Sequence, residues 1–220
     1  MLPLLLPHDA RPLRLLCIGA HSDDIEIGCA GTLLGLLATT QVEVIDWVVL
    51  AARNSRAAEA RASAEALIDE PGILRLAINE FRDGFLPFEG AAVKEYFEEL
   101  ARSIKPDVIF THYRQDRHQD HRLVSDLTWN TFRNHLILEY EIPKYDGDLG
   151  QPNCFVPVPA GLADRKVNHL MSAFASQRDK RWFTPSTFHG LMRLRGIEAG
   201  DGVEFAEAFH ARKWLMRGTP

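Results

Sequence analysis

Cysteine is scarce: Cys17, Cys29 and Cys154 are the only three in 220 residues, and no two form a C-x-x-C pair. Such spacing fits reduced, structural thiols in a cytosol better than a disulfide framework. Basic charge is not in surplus either, since 25 Lys and Arg stand against 30 Asp and Glu, a formal net charge of -5. A nucleic-acid partner, which would need a basic stripe, is therefore not expected. Long apolar runs are missing as well. Met1 to Leu6 is apolar, but Pro3 and Pro7 interrupt it and no basic region precedes it. It is too short for a signal peptide and far too short for a membrane span. Nothing repeats internally and no segment is low in complexity. What remains is 46% hydrophobic and 25% charged residues, the balance of an ordinary soluble globule. One domain covering residues 1–220, cytoplasmic and unanchored, is the expectation.

Periodicity gives the architecture. Leu13 to Ile18 reads as a buried strand, and Gly28 to Ala38 as the helix that crosses over from it. Val42 to Leu50 is rich in β-branched and aromatic residues and reads as strand two; Arg53 to Ile68 is an alanine-rich helix stopped by Pro71-Gly72. A third strand, Ile73 to Ile78, leads into a loop with an Asp83-Gly84 turn signal. Val93, Tyr96, Phe97, Leu100 and Ile104 mark an amphipathic helix, and Asp107 to Thr111 the fourth strand. This alternation predicts an α/β fold, a three-layer Rossmann-like, mostly parallel sheet with helices on both faces. The second half is less regular. Leu136 to Ile142 and Cys154 to Val158 look like strands, and Asp164 to Ser176 like a helix. The tail from Trp182 to Trp214 is placed as a cover over one sheet edge.

Two loops carry chemistry. Gly19-Ala20-His21-Ser22-Asp23-Asp24 follows strand one, where ligands collect in open α/β sheets. His21 and Asp24 suit a borderline divalent metal, and Asp23 can stand beside them as a base. On this stretch alone a capped helix start explains the residues equally well. After strand four comes a second group, His118-Gln119-Asp120-His121, too dense in ligating side chains for solvation alone. His112, just before it, reads by itself as a structural histidine near a strand end. In the doubly wound order 3-2-1-4, strands one and four are neighbours, and the two loops would then face each other.

Taken together, Ala20-His21-Ser22-Asp23-Asp24 with Gly28 and Gly31, and His118-Gln119-Asp120-His121, resemble the LmbE/PIG-L family of metal-dependent N-deacetylases, whose usual motifs are A-H-P-D-D and H-x-D-H. Arg56-Ala-Ala-Glu59 looks like the family's R-x-x-E, Asp83-Gly84 falls where the family often has D-G, and Phe205 to Phe209 resembles its C-terminal segment. Ser22 stands where the family usually has proline, which loosens the turn without removing a ligand. The resemblance implies His21, Asp24 and His121 as metal ligands, most often for Zn2+, with Fe2+ as another candidate. It implies Asp23 as general base, His118 as an acid or oxyanion stabiliser, and Asp120 as the group that orients His118. Three protein ligands would leave a coordination position open for water.

The activity expected is hydrolysis of an N-acetylated sugar or glycoside to acetate and a free amine. Arg56, Asp83 and Glu207 are weak candidates for substrate contact. The run Arg178-Asp179-Lys180-Arg181 reads as a solvated face before it reads as a phosphate site. Trp182, Phe183 and Phe188 read as core before they read as a sugar platform. Neither His189 nor His210 has an identifiable partner. The alternatives are a metal-dependent hydrolase of another amide or ester, and a non-catalytic nucleotide-binding module. Against the module, the first loop lacks G-x-G-x-x-G and no acidic residue clearly ends strand two. The partner expected is a small N-acetyl sugar; a homo-oligomer is left open.

Overall fold

The computed structural model describes residues 11–215. The expectation about Met1 to Leu6 lies outside the described residues. Strand β1 (Leu13–Gly19) sits in the middle of a seven-stranded sheet and is almost wholly buried. It pairs in parallel with β2 (Val42–Val49) on one side and β4 (Val108–His112) on the other. Beyond these lie β3 (Leu74–Ile78), parallel to β2, and β5 (Leu136–Tyr140), parallel to β4. Alternation along β1 divides the core. Leu15 and Cys17 join the cluster on one face, Leu16 and Ile18 the cluster on the other. The first face is covered by α1 (Asp24–Thr39), α2 (Ser55–Leu67), α5 (Ala160–Ala173) and α6 (Pro185–Ala199). The second is covered by α3 (Gly90–Ser103) and α4 (Gln119–Thr131). Among the described residues, no helix is long and apolar enough to cross a membrane.

Two expectations about elements need correction. Helix α1 starts at Asp24, one turn before the expected Gly28, with Asp24 and Glu26 in its first turn. Acidic groups there are favoured by the partial positive charge of the helix end. Gly28 and Gly31 are contact sites: a Cβ on Gly28 would lie 2.3 Å from the Tyr140 ring. The tail does not cover a sheet edge. Residues Phe205–His210 form β7, which enters the sheet between β5 and β6 (Cys154–Val158) and runs antiparallel to both. The full order is β3-β2-β1-β4-β5-β7-β6, so the expected 3-2-1-4 arrangement holds. A turn with positive φ at Gly200 and Gly202 lets the chain return from α6 into β7.

Candidate metal centre

The carboxyl ends of β1 and β4 are adjacent, since Cys17 is in register with Phe110. Both strands end in short loops that run into helix starts, at Asp24 and at Gln119. His21 and His121, a hundred positions apart, therefore meet: His21 Nδ1 lies 3.1 Å from His121 Nε2. Asp24 completes the group, its Oδ2 3.4 Å from His21 Nδ1 and its Oδ1 3.6 Å from His121 Nε2. All three side chains are buried. Tetrahedral zinc with ligand bonds near 2.0–2.1 Å spaces its ligand atoms about 3.3 Å apart. The observed spacings bracket that value, so the donor set fits such an ion.

The outer faces of both imidazoles are held by carboxylates. Nε2 of His21 lies 3.1 Å from Asp83 Oδ1 and 3.2 Å from Asp120 Oδ2. Nδ1 of His121 donates to Asp116 Oδ2 at 2.9 Å, and Lys144 Nζ donates to the same oxygen at 2.9 Å. A carboxylate on one ring nitrogen keeps the proton there and leaves the opposite lone pair for a ligand bond. Burial, followed by the adjacent His112, pushes His121 down to about 3, so it is a neutral imidazole. Burial works against the Asp24 carboxylate, but His121, His112 and His21 overcome it and hold Asp24 well below the usual range. Burial likewise opposes charge on His21, yet Asp24, Asp120 and Asp83 raise it well above its ordinary value. That crowd of carboxylates calls for a positive charge at this point, which a cation held there would supply.

His112 is part of this centre. It is fully buried, its ring stacks on His121 at 3.9 Å, and its Nε2 lies 3.1 Å from Asp24 Oδ2 while accepting the Ala20 N–H at 2.9 Å. Its Nδ1 has no partner among the described residues. Asp116, His112 and Lys144 were missed as site residues because each stands behind another residue of the centre. The D-x-H-x-D-H spacing of Asp116 to His121 was the one signal available in the sequence.

Asp23 occupies the N-cap of α1 but makes no side-chain cap bond there. Burial and the neighbouring Asp24 carboxylate push it up to about 6. His118 caps α4, its Nδ1 accepting the Asp120 N–H at 3.2 Å, and its ring lies 4.8 Å from His21 and 4.6 Å from His121. Burial, then the charge on His21, lowers His118 below its ordinary value. Asp120 meets His118 through its backbone N–H and not, as expected, through its carboxylate. Its Oδ2 accepts the Gly84 N–H at 2.7 Å and its Oδ1 the Leu86 N–H at 3.1 Å, which turns the carboxylate toward His21. Residues one or two apart at a helix start point in different directions, so the expected pair is not formed.

Arg56 reaches the site edge, pairing with Asp83 and donating through Nε to Ser22 Oγ at 3.3 Å. Glu59 turns away and accepts from the Ser176 backbone and hydroxyl. Glu207 is not at the site. It is buried, accepts the Gly31 and Thr32 N–H groups at 2.8 and 2.6 Å, and pairs with Lys166 Nζ at 2.5 Å. With its oxygens taken by the protein, it has none to offer a sugar hydroxyl. Phe183 and Phe188 are core residues, as expected. His189 pairs with Asp164 at 3.1 Å, and His210 stacks on Tyr113 at 3.6 Å, partners that the sequence did not reveal.

Comparison with solved structures places this fold among known ones. A conserved protein of Thermus thermophilus aligns with a TM-score of 0.73 at 20% identity, covering 94% of this chain and 97% of that one. The N,N'-diacetylchitobiose deacetylase of Pyrococcus horikoshii aligns at 0.65 and 19%, covering 90% and 83%. The 4-carboxy-2-hydroxymuconate hydratase of Pseudomonas putida aligns at 0.71 and 14%, covering 94% and 100%. A family model described as PIG-L, GlcNAc-PI de-N-acetylase, matches residues 16–132, a span that includes both motif loops. Because that match takes in more than half of the sequence, the chain belongs to the PIG-L family.

Proposed function

We propose that the protein is a metal-dependent N-deacetylase acting on an N-acetylated sugar or glycoside. The observation that carries this reading is the meeting of His21, Asp24 and His121 at ligand spacing, with Asp23 and His118 beside them in the two loops. A divalent ion held by these three, zinc or Fe2+, would supply Lewis acidity and an open position beside them. Asp23, a carboxylate above about pH 6, takes a proton from the attacking water. The water oxygen adds to the acetamide carbon, and Asp23 returns the proton to the departing nitrogen as the carbon–nitrogen bond breaks. Acetate and a free amine result.

His118 has two available roles, and its hydrogen bond favours one. With Nδ1 accepting a backbone N–H, the neutral ring carries its proton on Nε2. It is then a hydrogen-bond donor to the developing oxyanion, and its lowered pKa suits a neutral donor better than a proton-delivering acid. Arg56 and Asp83, paired at the edge of the centre, serve the sugar hydroxyls. The decisive experiment loads the protein with zinc and measures acetate and free amine from N-acetylglucosaminides. Because one neighbour of this fold is a hydratase, absence of acetate with any of these substrates would turn the reading toward another reaction.

A further inference from the structure

Ser22 lies between His21 and Asp23 in the chain and is fully buried. Its Oγ accepts the Arg56 Nε–H at 3.3 Å, a long bond but one with a charged donor. Arg56 also donates through Nη1 to Asp83, and Asp83 Oδ1 lies 3.1 Å from His21 Nε2. These contacts close a circuit: His21 to Asp83, Asp83 to Arg56, Arg56 to Ser22, and back to His21 through one peptide bond. One side of Arg56 stays open. Its side chain is 25% exposed and lines, with Asp83 and Phe81, a cavity of about 310 Å³. The chain enters α2 along the same cavity through Asn54, among the described residues the only non-glycine with positive φ, at 54°. Backbone strain of this kind collects at working sites.

A guanidinium on a flexible stem is costly to order, because its rotamer freedom is lost when a ligand is bound. A single contact at Nη1 leaves the group free to turn about that bond. A second contact, at Nε, fixes the plane and with it the direction of the remaining N–H donors. The second acceptor belongs to the residue next to His21, so those donors stand at a set distance from the proposed metal ligands. Hydroxyls held by Arg56 and an amide presented to the centre are then kept in register. Proline, usual at this place in the family, has no side-chain oxygen and accepts no such bond. Resting on the deacetylase reading, we propose that Ser22 is a positioning residue for Arg56, acting on substrate binding through the guanidinium and not through the metal.

Two measurements on the zinc-loaded protein separate this proposal from that reading. Without substrate, exchange of the Arg56 Nε–H with water is followed by NMR, the signal being assigned by its loss in Arg56→Lys. Ser22→Ala is expected to speed the exchange roughly 3- to 10-fold, and an unchanged rate overturns the proposal. With methyl N-acetylglucosaminide, Ser22→Ala is expected to raise KM roughly 3- to 10-fold while kcat stays within about 2-fold and zinc content is unchanged. In the Arg56→Ala background the same substitution is expected to add less than about 2-fold. The full effect in that background would assign Ser22 to something other than Arg56, and a fall in kcat with loss of zinc would assign it to the ligand turn. Either result overturns the proposal. Absence of acetate from the wild type, with the exchange difference intact, would refute the deacetylase reading and uphold Ser22 as the anchor of Arg56.

Discussion

Charges are buried in two parts of this molecule, and they differ in how they are balanced. Under α6 and β7, Lys166 pairs with Glu207, and Arg195 with Glu141 through two bonds of 2.8 and 2.6 Å. Those clusters are closed, with each charge facing its opposite and the carboxylates also accepting backbone N–H groups. At the carboxyl edge of β1 and β4 the balance is left open. Two imidazoles and a carboxylate face one another, while three further carboxylates stand behind the rings. Burial of charge is common to both regions; in the second the carboxylates converge on a pair of imidazoles, and against burial they raise His21 well above its ordinary value instead of facing a Lys or Arg deep in the core. Convergence of acceptors, more than depth, is what sets the proposed metal centre apart.

The contrast can be broken by substitution. Asp24→Ala or His121→Ala should abolish stoichiometric zinc in elemental analysis, whereas Asp23→Asn should keep the metal and slow turnover by roughly 100- to 10,000-fold. Full metal in the first two, or unchanged turnover in the third, would dissolve the assignment. In the closed region, Lys166→Met alone should cost about 3–5 kcal/mol in denaturant unfolding, because it strands Glu207. The pair Lys166→Met with Glu207→Leu should recover part of that loss, and no recovery would mean that Glu207 is needed for its backbone bonds rather than its charge. Asp116→Asn should weaken zinc by roughly 10- to 100-fold in a competition titration without unfolding the protein.

The smallest effect concerns Glu26, which belongs to neither region. Burial is the main cause that pushes it up to about 8, with only the Ser63 hydroxyl and its own backbone opposing. The folded state therefore keeps a proton that the unfolded chain gives up near the ordinary glutamate value of 4.5. Stability contributed by this group falls as pH rises between those two values. Glu26→Gln should flatten that slope, raising the melting temperature more at pH 8.5 than at pH 5.5. Equal shifts at both pH values would show that Glu26 is ionised in the folded protein.

Much of the parallel half was legible because each strand from β1 to β4 is a compact apolar run followed by a helix of helical period. Strand β7 was hidden: Glu207 interrupts its alternation with a charge, and the groups that make that charge tolerable, Lys166 from α5 and the Gly31 and Thr32 N–H groups of α1, are far away in sequence. The start of α1 was obscured by Gly28 and Gly31, which look like breakers until Tyr140 and Glu207 are seen occupying their vacant sides. At the centre, the proposed ligands stood in a dense, regularly spaced pattern, and their backing did not. His112 and Asp116 are single residues whose importance lies in the direction of one ring nitrogen or one oxygen, and no spacing rule encodes a direction. Asp120 was legible as a member of the group, but its target was not.

The Tyr140 ring, lodged in the notch at Gly28 with its hydroxyl bonded to Ile18 O, has a mechanical consequence. It works as a key in a shaft: α1 cannot roll about its own axis without driving the aromatic ring out of the sheet. The bearing of Asp24 is thus set one turn further along the helix, by a tyrosine that stands outside the ligand set. Positions 28 and 140 are accordingly free to change in bulk only as a pair, a constraint that neither residue betrays alone.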